Sequence, residues 1–412
     1  MSLLVQRLDV SLEPEPRRVL LRPYATSSPV QAEHVIGRVL ALPEEEVPGL
    51  LASVLAEFEQ RHRNLRPRLL RHFEAMSERL PAGQSLTQER RLLLGACFSA
   101  EYALEAAALF NPSIVPHPDQ TGVPSGALRF VLSLRSTGEG HISCITFRAG
   151  LVDCDGRVQL EPGSTLATEP SVVPLEGQEY EACFEPESEL AERVLFPVTE
   201  AQRNGIEDAR FVRLGESYYG TYTAYDGRQI LPQLIKTQDF QRFLFITPTG
   251  EAVRNKGFAL FPRMLSGKYA MLGRQDGENL TLMLSDNLRH WPESCVIVQP
   301  RFPWELVQIG NCGSPLETEA GWLVLTHGVG PLRKYCIGAL LLDRDQPDRV
   351  VGRLSQPLLA PLESEREGYV PNVVYSCGGL LHAGWLMLPY AVSDSACRFA
   401  RIQLKALLEA MS

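Results

Sequence analysis

Two textures of apolar spacing divide the chain. From about residue 28 to 109, apolar residues recur at three- and four-residue intervals, as in Leu50, Leu51, Val54, Leu55 and Phe58 and again in Leu65, Leu69, Leu70 and Phe73. That is the period of amphipathic helices. The run "SLTQERRLLLGACFSAEYALEAAALF" continues it, and Ser85 followed by Gln88 predicts a capping box. After Asn111 the pattern shortens to strands rich in Val, Ile, Phe and Tyr, parted by Gly, Pro and Asp turns. There a turn repeatedly leads into an aromatic strand: "LRFVLSLRSTG", "SYYGTYTAYDG", "GKYAMLGRQDG", "GWLVLTHGVG" and "GWLMLPYAVSD". Their leading aromatics, Phe130, Tyr218, Tyr269, Trp322 and Trp385, are 88, 51, 53 and 63 residues apart. A period of about 50 residues with several strands per unit is that of propeller blades. The expected fold is an all-β five-bladed β-propeller over residues 106–412 with an N-terminal α-helical extension over 1–105. The long first step would absorb an insertion near residues 155 to 195. A β-sandwich does not explain repetition at that period.

Composition narrows the partners. At 412 residues with 44% apolar and 22% charged content, the chain has the composition of a soluble globular protein. A net charge of −9 argues against a polyanion binder, so no nucleic acid is expected. The basic run "RHRNLRPRLLRH" reads instead as the solvated face of a helix or as a helix that packs on a subunit. No apolar run approaches the length of a membrane span and no signal peptide opens the chain, so the expected location is cytoplasmic, away from membranes. Nine scattered cysteines without a CxxC pair fit reduced thiols.

Several kinds of chemistry have no motif here. There is no P-loop and no GxSxG elbow, and the eight histidines lack metal-ligand spacing, so neither cofactor nor metal is expected. What remains is a set of polar residues distributed by repeat: Asn111 and Arg135, then Glu207, Asp208 and Arg210, then Arg254, Asn255, Lys256, Asp276 and Glu278, then Glu317 and His327, and finally Asp394. A propeller gathers such residues at its axis. Carboxylates, arginines and aromatics in one cavity suit a sugar, with paired acids to cleave a glycosidic bond. For any single member, a turn or an inter-blade salt bridge is an equally good reading.

Six ordered blocks then resemble glycoside hydrolase family 130, which acts on β-mannosides: "ALFNPSIVPHPD", "GIEDARFVRLGESYYGTYTAYDG", "RNKGFALFPRMLSGKYAML", "GSPLETEAGWLVLTHGV", "IGALLLDRDQPDRVVGR" and "VPNVVYSCGG". The resemblance covers most of residues 105 to 400 and implies Asp208 as the general acid, reaching the glycosidic oxygen through a sugar hydroxyl. It implies substrate contacts at Asn111, Arg135, Arg254, Asn255 and Asp394, with Arg135 and Arg254 near a phosphate. Tyr222 and His327 are further candidates for the sugar pocket.

The chain departs from the phosphorylase pattern in two blocks. Glu317 stands where those enzymes usually have Lys, and Gly273, followed by Glu278, where they have His. Phosphate, a dianion, needs cations, and a carboxylate about 4 Å away costs it roughly 1 to 4 kcal/mol. Water needs a carboxylate to take its proton. The exchange therefore suits water as the nucleophile. In having two glutamates in these blocks the chain resembles the family's β-1,2-mannosidase branch, which implies an inverting, exo-acting β-1,2-mannosidase with Glu317 and Glu278 as the base pair. The alternative is a β-mannoside phosphorylase that uses inorganic phosphate and releases mannose 1-phosphate. A third class is a silent propeller that binds a β-mannoside oligosaccharide. The helical extension reads as a lid or as the surface of a homodimer.

Overall fold

The structure, a computed structural model, describes residues 5–81 and 83–411. The chain forms two compact units, one of Met1–Pro14, Glu105–Gly163 and Glu169–Ser412, the other of Glu15–Leu104 and Ser164–Thr168.

The chain opens with β1 (Gln6–Leu12), which belongs to the first of these units. The boundary expected at residue 105 therefore misses a strand, because helical periodicity begins only near residue 28 and the preceding residues are free to pair elsewhere. The second unit follows: β2 (Val19–Pro23), helices α1 (Pro29–Leu40), α2 (Val47–Phe58), α3 (Leu65–Met76) and α4 (Gln88–Cys97), and β3 (Ser99–Ala103), which pairs with β2. Ser28 caps α1 by accepting from the Gln31 amide, with Pro29 at the first helical position. The α4 cap is Thr87, which accepts from the Arg90 amide, and not Ser85. Its hydroxyl also donates to Glu44, a tie that holds the cap two residues later than the motif suggested. A methyl at Gly95 would stand 2.0 Å from the Leu69 carbonyl, so α3 and α4 meet backbone to backbone. The basic run is absorbed here: Arg61 and His62 bond Glu101, Arg68 bonds Thr168 and His72 bonds Ser99.

The first unit is a series of antiparallel meanders. β4 (Ala108–Pro116), β5 (Leu128–Thr137) and β6 (Ser143–Val152) run side by side, with β7 (Val158–Leu160) on the outer edge. The insertion then supplies β8 (Ser171–Pro174), β9 (Tyr180–Cys183) and β10 (Val194–Leu195). A second meander, β11 (Gly205–Leu214), β12 (Ser217–Tyr225), β13 (Ile230–Thr237) and β14 (Arg242–Ile246), takes β9 and β8 onto its edge. The third is β15 (Lys256–Leu260), β16 (Tyr269–Arg274), β17 (Leu280–Ser285) and β18 (Ser294–Val298). The fourth comprises β19 (Gln308–Asn311), β20 (Leu316–Thr318), β21 (Gly321–Val329), β22 (Tyr335–Leu342) and β23 (Val350–Arg353). The last holds β24 (Val374–Tyr375), β25 (Leu380–His382), β26 (Trp385–Val392) and β27 (Ala396–Gln403), followed by α5 (Leu404–Met411). β1 completes it by pairing with β27, and the Arg7 guanidinium fixes that closure through Glu365 and the Ala360 carbonyl.

The five aromatics that marked the repeat fall on β5, β12, β16, β21 and β26, in each case the strand after the one or two that open its meander. Phe147, Phe211, Phe240 and Phe243 interlock between the first two meanders with ring centroids 5.5 to 6.3 Å apart. Truncating Phe243, which is wholly buried, to Ala would cost about 3 to 5 kcal/mol. No described helix is long and apolar enough to cross a membrane.

Candidate active site

The opening strands of successive meanders share one irregularity. The β4–β5 pairing slips between Phe110 and Ser113, the β11–β12 pairing between Glu207 and Arg210, and the β15–β16 pairing between Lys256 and Ala259. Each slip is a bulge whose odd residue is left-handed: Asn111 (φ 50°), Asp208 (φ 55°) and Gly257 (φ 89°). Asn and Asp are the side chains that tolerate this conformation best, and the bulge turns them out of the strand's alternation. Asn111 and Asp208 are thereby brought together, with the Asn111 amide donating to Asp208 Oδ1 at 2.6 Å.

Arginines surround this pair. Arg135, on β5, donates from Nη1 to Asp208 Oδ1 at 3.3 Å, from Nη2 to Glu207 Oε1 at 2.7 Å and from Nε to Ser143 Oγ at 2.9 Å. Its guanidinium lies 4.8 Å over the Phe110 ring. Arg210 is spent on structure: it donates to the backbone carbonyls of Asp208 and Cys312 and to the Tyr375 hydroxyl. Arg274 donates from Nη1 to His327 Nε2 at 2.8 Å, and the Gln308 amide lies against the same nitrogen. His327 packs against Tyr375 at 4.9 Å and is stacked with Tyr335 at 6.2 Å. Among the described residues neither Lys256 nor Arg274 has a carboxylate partner, and Arg274 Nε is buried without an acceptor.

The charges act on one another strongly because the site is buried. Burial alone would raise the Asp208 carboxyl, but Arg135, Arg210, Lys256 and the Asn111 amide outweigh it and hold it well below the usual carboxylate range. Asp394 goes the other way, pushed up to about 6 by burial and then by the Asp208 charge. Burial, then Arg274 and Arg210, keep His327 neutral, which suits its acceptor role toward Arg274.

Of the residues the sequence singled out, Asn111, Arg135, Asp208 and Asp394 therefore act on one another with Lys256 beside them, and His327 is linked to them through Arg274, Arg210 and Lys256. Others fall elsewhere. Glu317 lies on the β20–β21 hairpin, its carboxylate held by Arg263 at 2.8 Å and Arg344 at 3.1 Å. These hydrogen bonds lower its pKa, the reverse of what a base needs. Glu278 is exposed on the β16–β17 turn, which Asp276 shapes by accepting the Glu278 and Asn279 amides. Tyr222 is core: its hydroxyl accepts from Gln202 at 2.7 Å and donates to Gln233, because a buried phenol must pair. Arg254 is exposed and Asn255 takes a left-handed turn (φ 64°); no hydrogen bond among the described residues ties either to Asp208. A cavity of about 880 Å³ borders Glu317, Arg344, Leu404 and Leu408 and does not include Asp208.

The sequence reading passed over Arg274, Tyr375 and Ser143. Arg274 had one visible signal: it ends a strand as a charged residue directly before the "QDG" turn. Among the described residues no group of three or more His, Cys, Asp or Glu is placed to hold a metal.

Comparison with known proteins gives the family of the chain. Residues 180–412 match the profile of a family described as β-1,4-mannooligosaccharide phosphorylase, glycoside hydrolase family 130. A 1,2-β-oligomannan phosphorylase of Thermoanaerobacter sp. (strain X514) is 32% identical over 225 residues, 52% of this chain and 74% of that protein. A β-1,2-mannobiose phosphorylase of Listeria innocua serovar 6a is 30% identical over 223 residues, 52% of this chain and 62% of its own length. A solved structure of β-1,2-mannobiose phosphorylase from Listeria innocua, in complex with β-1,2-mannobiose, aligns with TM-score 0.56 at 19% identity, covering 74% of this chain and 92% of that one, and so shares the all-β fold. The profile match and the Thermoanaerobacter relative together show that the chain belongs to glycoside hydrolase family 130.

Proposed function

We propose that the chain is a β-mannoside phosphorylase, cleaving a β-1,2-linked mannoside with inorganic phosphate to release mannose 1-phosphate, on a five-bladed propeller whose blades are the five meanders and whose last blade β1 closes. The observation that carries this reading is the cation surplus beside Asp208: buried Arg274 and half-buried Lys256 stand without a carboxylate partner among the described residues. An unpaired buried cation is costly, and an anionic ligand relieves that cost. The names of the two relatives, both phosphorylases, support the same choice.

The hydrolytic reading rested on carboxylates replacing cations. Glu317 is instead neutralised by Arg263 and Arg344 at the end of a hairpin, and Glu278 stands in solvent. Neither offers a free, basic carboxylate beside Asp208.

Asp208 is ionised at rest and must hold a proton to serve as the acid. Phosphate arriving among Arg135, Lys256 and Arg274 takes up the positive charge that now depresses Asp208 and lifts its carboxyl toward the protonated form. Hydrogen phosphate brings one proton. It ends on the leaving alcohol, relayed by Asp208 through a sugar hydroxyl, while a phosphate oxygen bonds the anomeric carbon from the opposite face.

Calorimetric titration with inorganic phosphate tests the anion site. The wild type should bind, and Lys256→Ala and Arg274→Ala should each weaken binding by about tenfold or more. Equal binding by all three would overturn this assignment.

A further inference from the structure

Among the described Phe, Tyr and Trp residues, Tyr24 and Tyr369 are exposed, at 45% and 61%, and of the two Tyr369 lies in the β unit. Its ring is stacked on that of His141, with centroids 5.4 Å apart and planes 29° apart. The imidazole stacks on the ring while the residue stays 61% exposed. Both side chains are set by fixed backbone. His141 is left-handed (φ 59°), directly after left-handed Gly140 (φ 67°), in the turn joining β5 to β6. Tyr369 follows Gly368, where a methyl would stand 2.6 Å from the Ser393 carbonyl oxygen, so that backbone is pressed onto the turn after β26.

Each half of the pair is tied to the site. The Tyr369 amide donates to Ser395 Oγ at 3.1 Å and the Val370 amide to the Ser393 carbonyl at 3.0 Å, bracketing Asp394. The Ser395 carbonyl accepts from the Leu109 amide, two residues before Asn111. On the other side, Ser143 accepts from Arg135 two residues after His141. The stacked pair thus bridges the loop beside Asp394 and the loop beside Arg135.

We propose that Tyr369, braced by His141, is the platform for a sugar ring on the leaving-group side of the cleaved bond, so that this site prefers an oligosaccharide. An aromatic face carries partial negative charge and attracts the C–H groups of a pyranose face, and a ring already stacked loses little freedom on binding. This inference rests on the β-mannoside reading of the site.

The test runs the reaction in reverse, from mannose 1-phosphate with β-1,2-mannobiose as acceptor. Tyr369→Ala should raise the acceptor KM by roughly fivefold to tenfold and leave the KM for mannose 1-phosphate unchanged. Tyr369→Phe should restore the wild-type acceptor KM, because the stack needs only the ring. His141→Ala should give a smaller rise. An unchanged acceptor KM in Tyr369→Ala, or equal movement of both KM values, overturns the platform. If the wild type does not consume mannose 1-phosphate, the phosphorylase reading fails by itself. Calorimetry with β-1,2-mannotriose then decides the platform: weaker binding by Tyr369→Ala supports it and equal binding overturns it.

Discussion

Asp208 and Glu317 are both carboxylates held by two or more arginines, yet their surroundings differ in every respect that matters for chemistry. Asp208 sits on a left-handed bulge, 7% exposed, with its field set by Arg135, Arg210 and Lys256. Glu317 sits on a regular hairpin opposite Trp322, its side chain 33% exposed, with Arg263 and Arg344 screened by solvent. Exposed pairs of this kind contribute about 0 to 1 kcal/mol. A carboxylate's place in a motif therefore says less about its role than the backbone that aims it.

Substitutions at the two positions separate them most sharply. Asp208→Asn should abolish mannose 1-phosphate release, with a loss of about a thousandfold or more in kcat read by product assay, in a protein that calorimetry shows still folded but with a lowered thermal midpoint. Next in size, Lys256→Ala and Arg274→Ala should raise the KM for phosphate by roughly tenfold to a hundredfold while leaving the KM for the mannoside nearly unchanged. Arg274→Lys should recover part of that loss, since charge is kept and the fork geometry is not.

An intermediate effect concerns pH. The folded-state pKa of Asp394 is raised from 3.8 to about 6, so its contribution to stability is full below 3.8 and lost as pH rises through about 6. Asp208, lowered in the folded state, contributes above 3.8 and loses that contribution as pH falls. Asp394→Asn should gain in thermal midpoint relative to the wild type as pH is raised from 3.8 to about 6 and hold that gain above it, and a constant difference across that range would contradict the assignment. The smallest effect is expected at Glu317. Glu317→Gln should change kcat/KM by less than about twofold, whereas a catalytic base would lose about a hundredfold or more.

The repeat was legible because aromatic anchors such as Tyr218 and Trp385 occupy the same strand of each meander and leave a period in the sequence. Asn111 and Asp208 stand in ordered blocks resembling a family, while Arg135 and Asp394 stand in segments of the aromatic repeat. Glu317 was misplaced because a two-residue turn, Glu319–Ala320, folds its strand straight back onto Trp322, and nothing in local composition announces that turn. Arg274 and Tyr375 were passed over because they reach the site from separate meanders, a closeness that only the tertiary fold creates. The strand β1 escaped notice for a related reason: its partner β27 lies at the far end of the chain.

The most direct test of the central claim is to incubate the purified protein with β-1,2-mannobiose, with and without inorganic phosphate, and assay mannose 1-phosphate and mannose separately. Mannose 1-phosphate formed only when phosphate is present, with one equivalent of mannose, is the predicted result. Two equivalents of mannose at a rate indifferent to phosphate would show that water is the nucleophile and that the cations beside Asp208 serve another purpose.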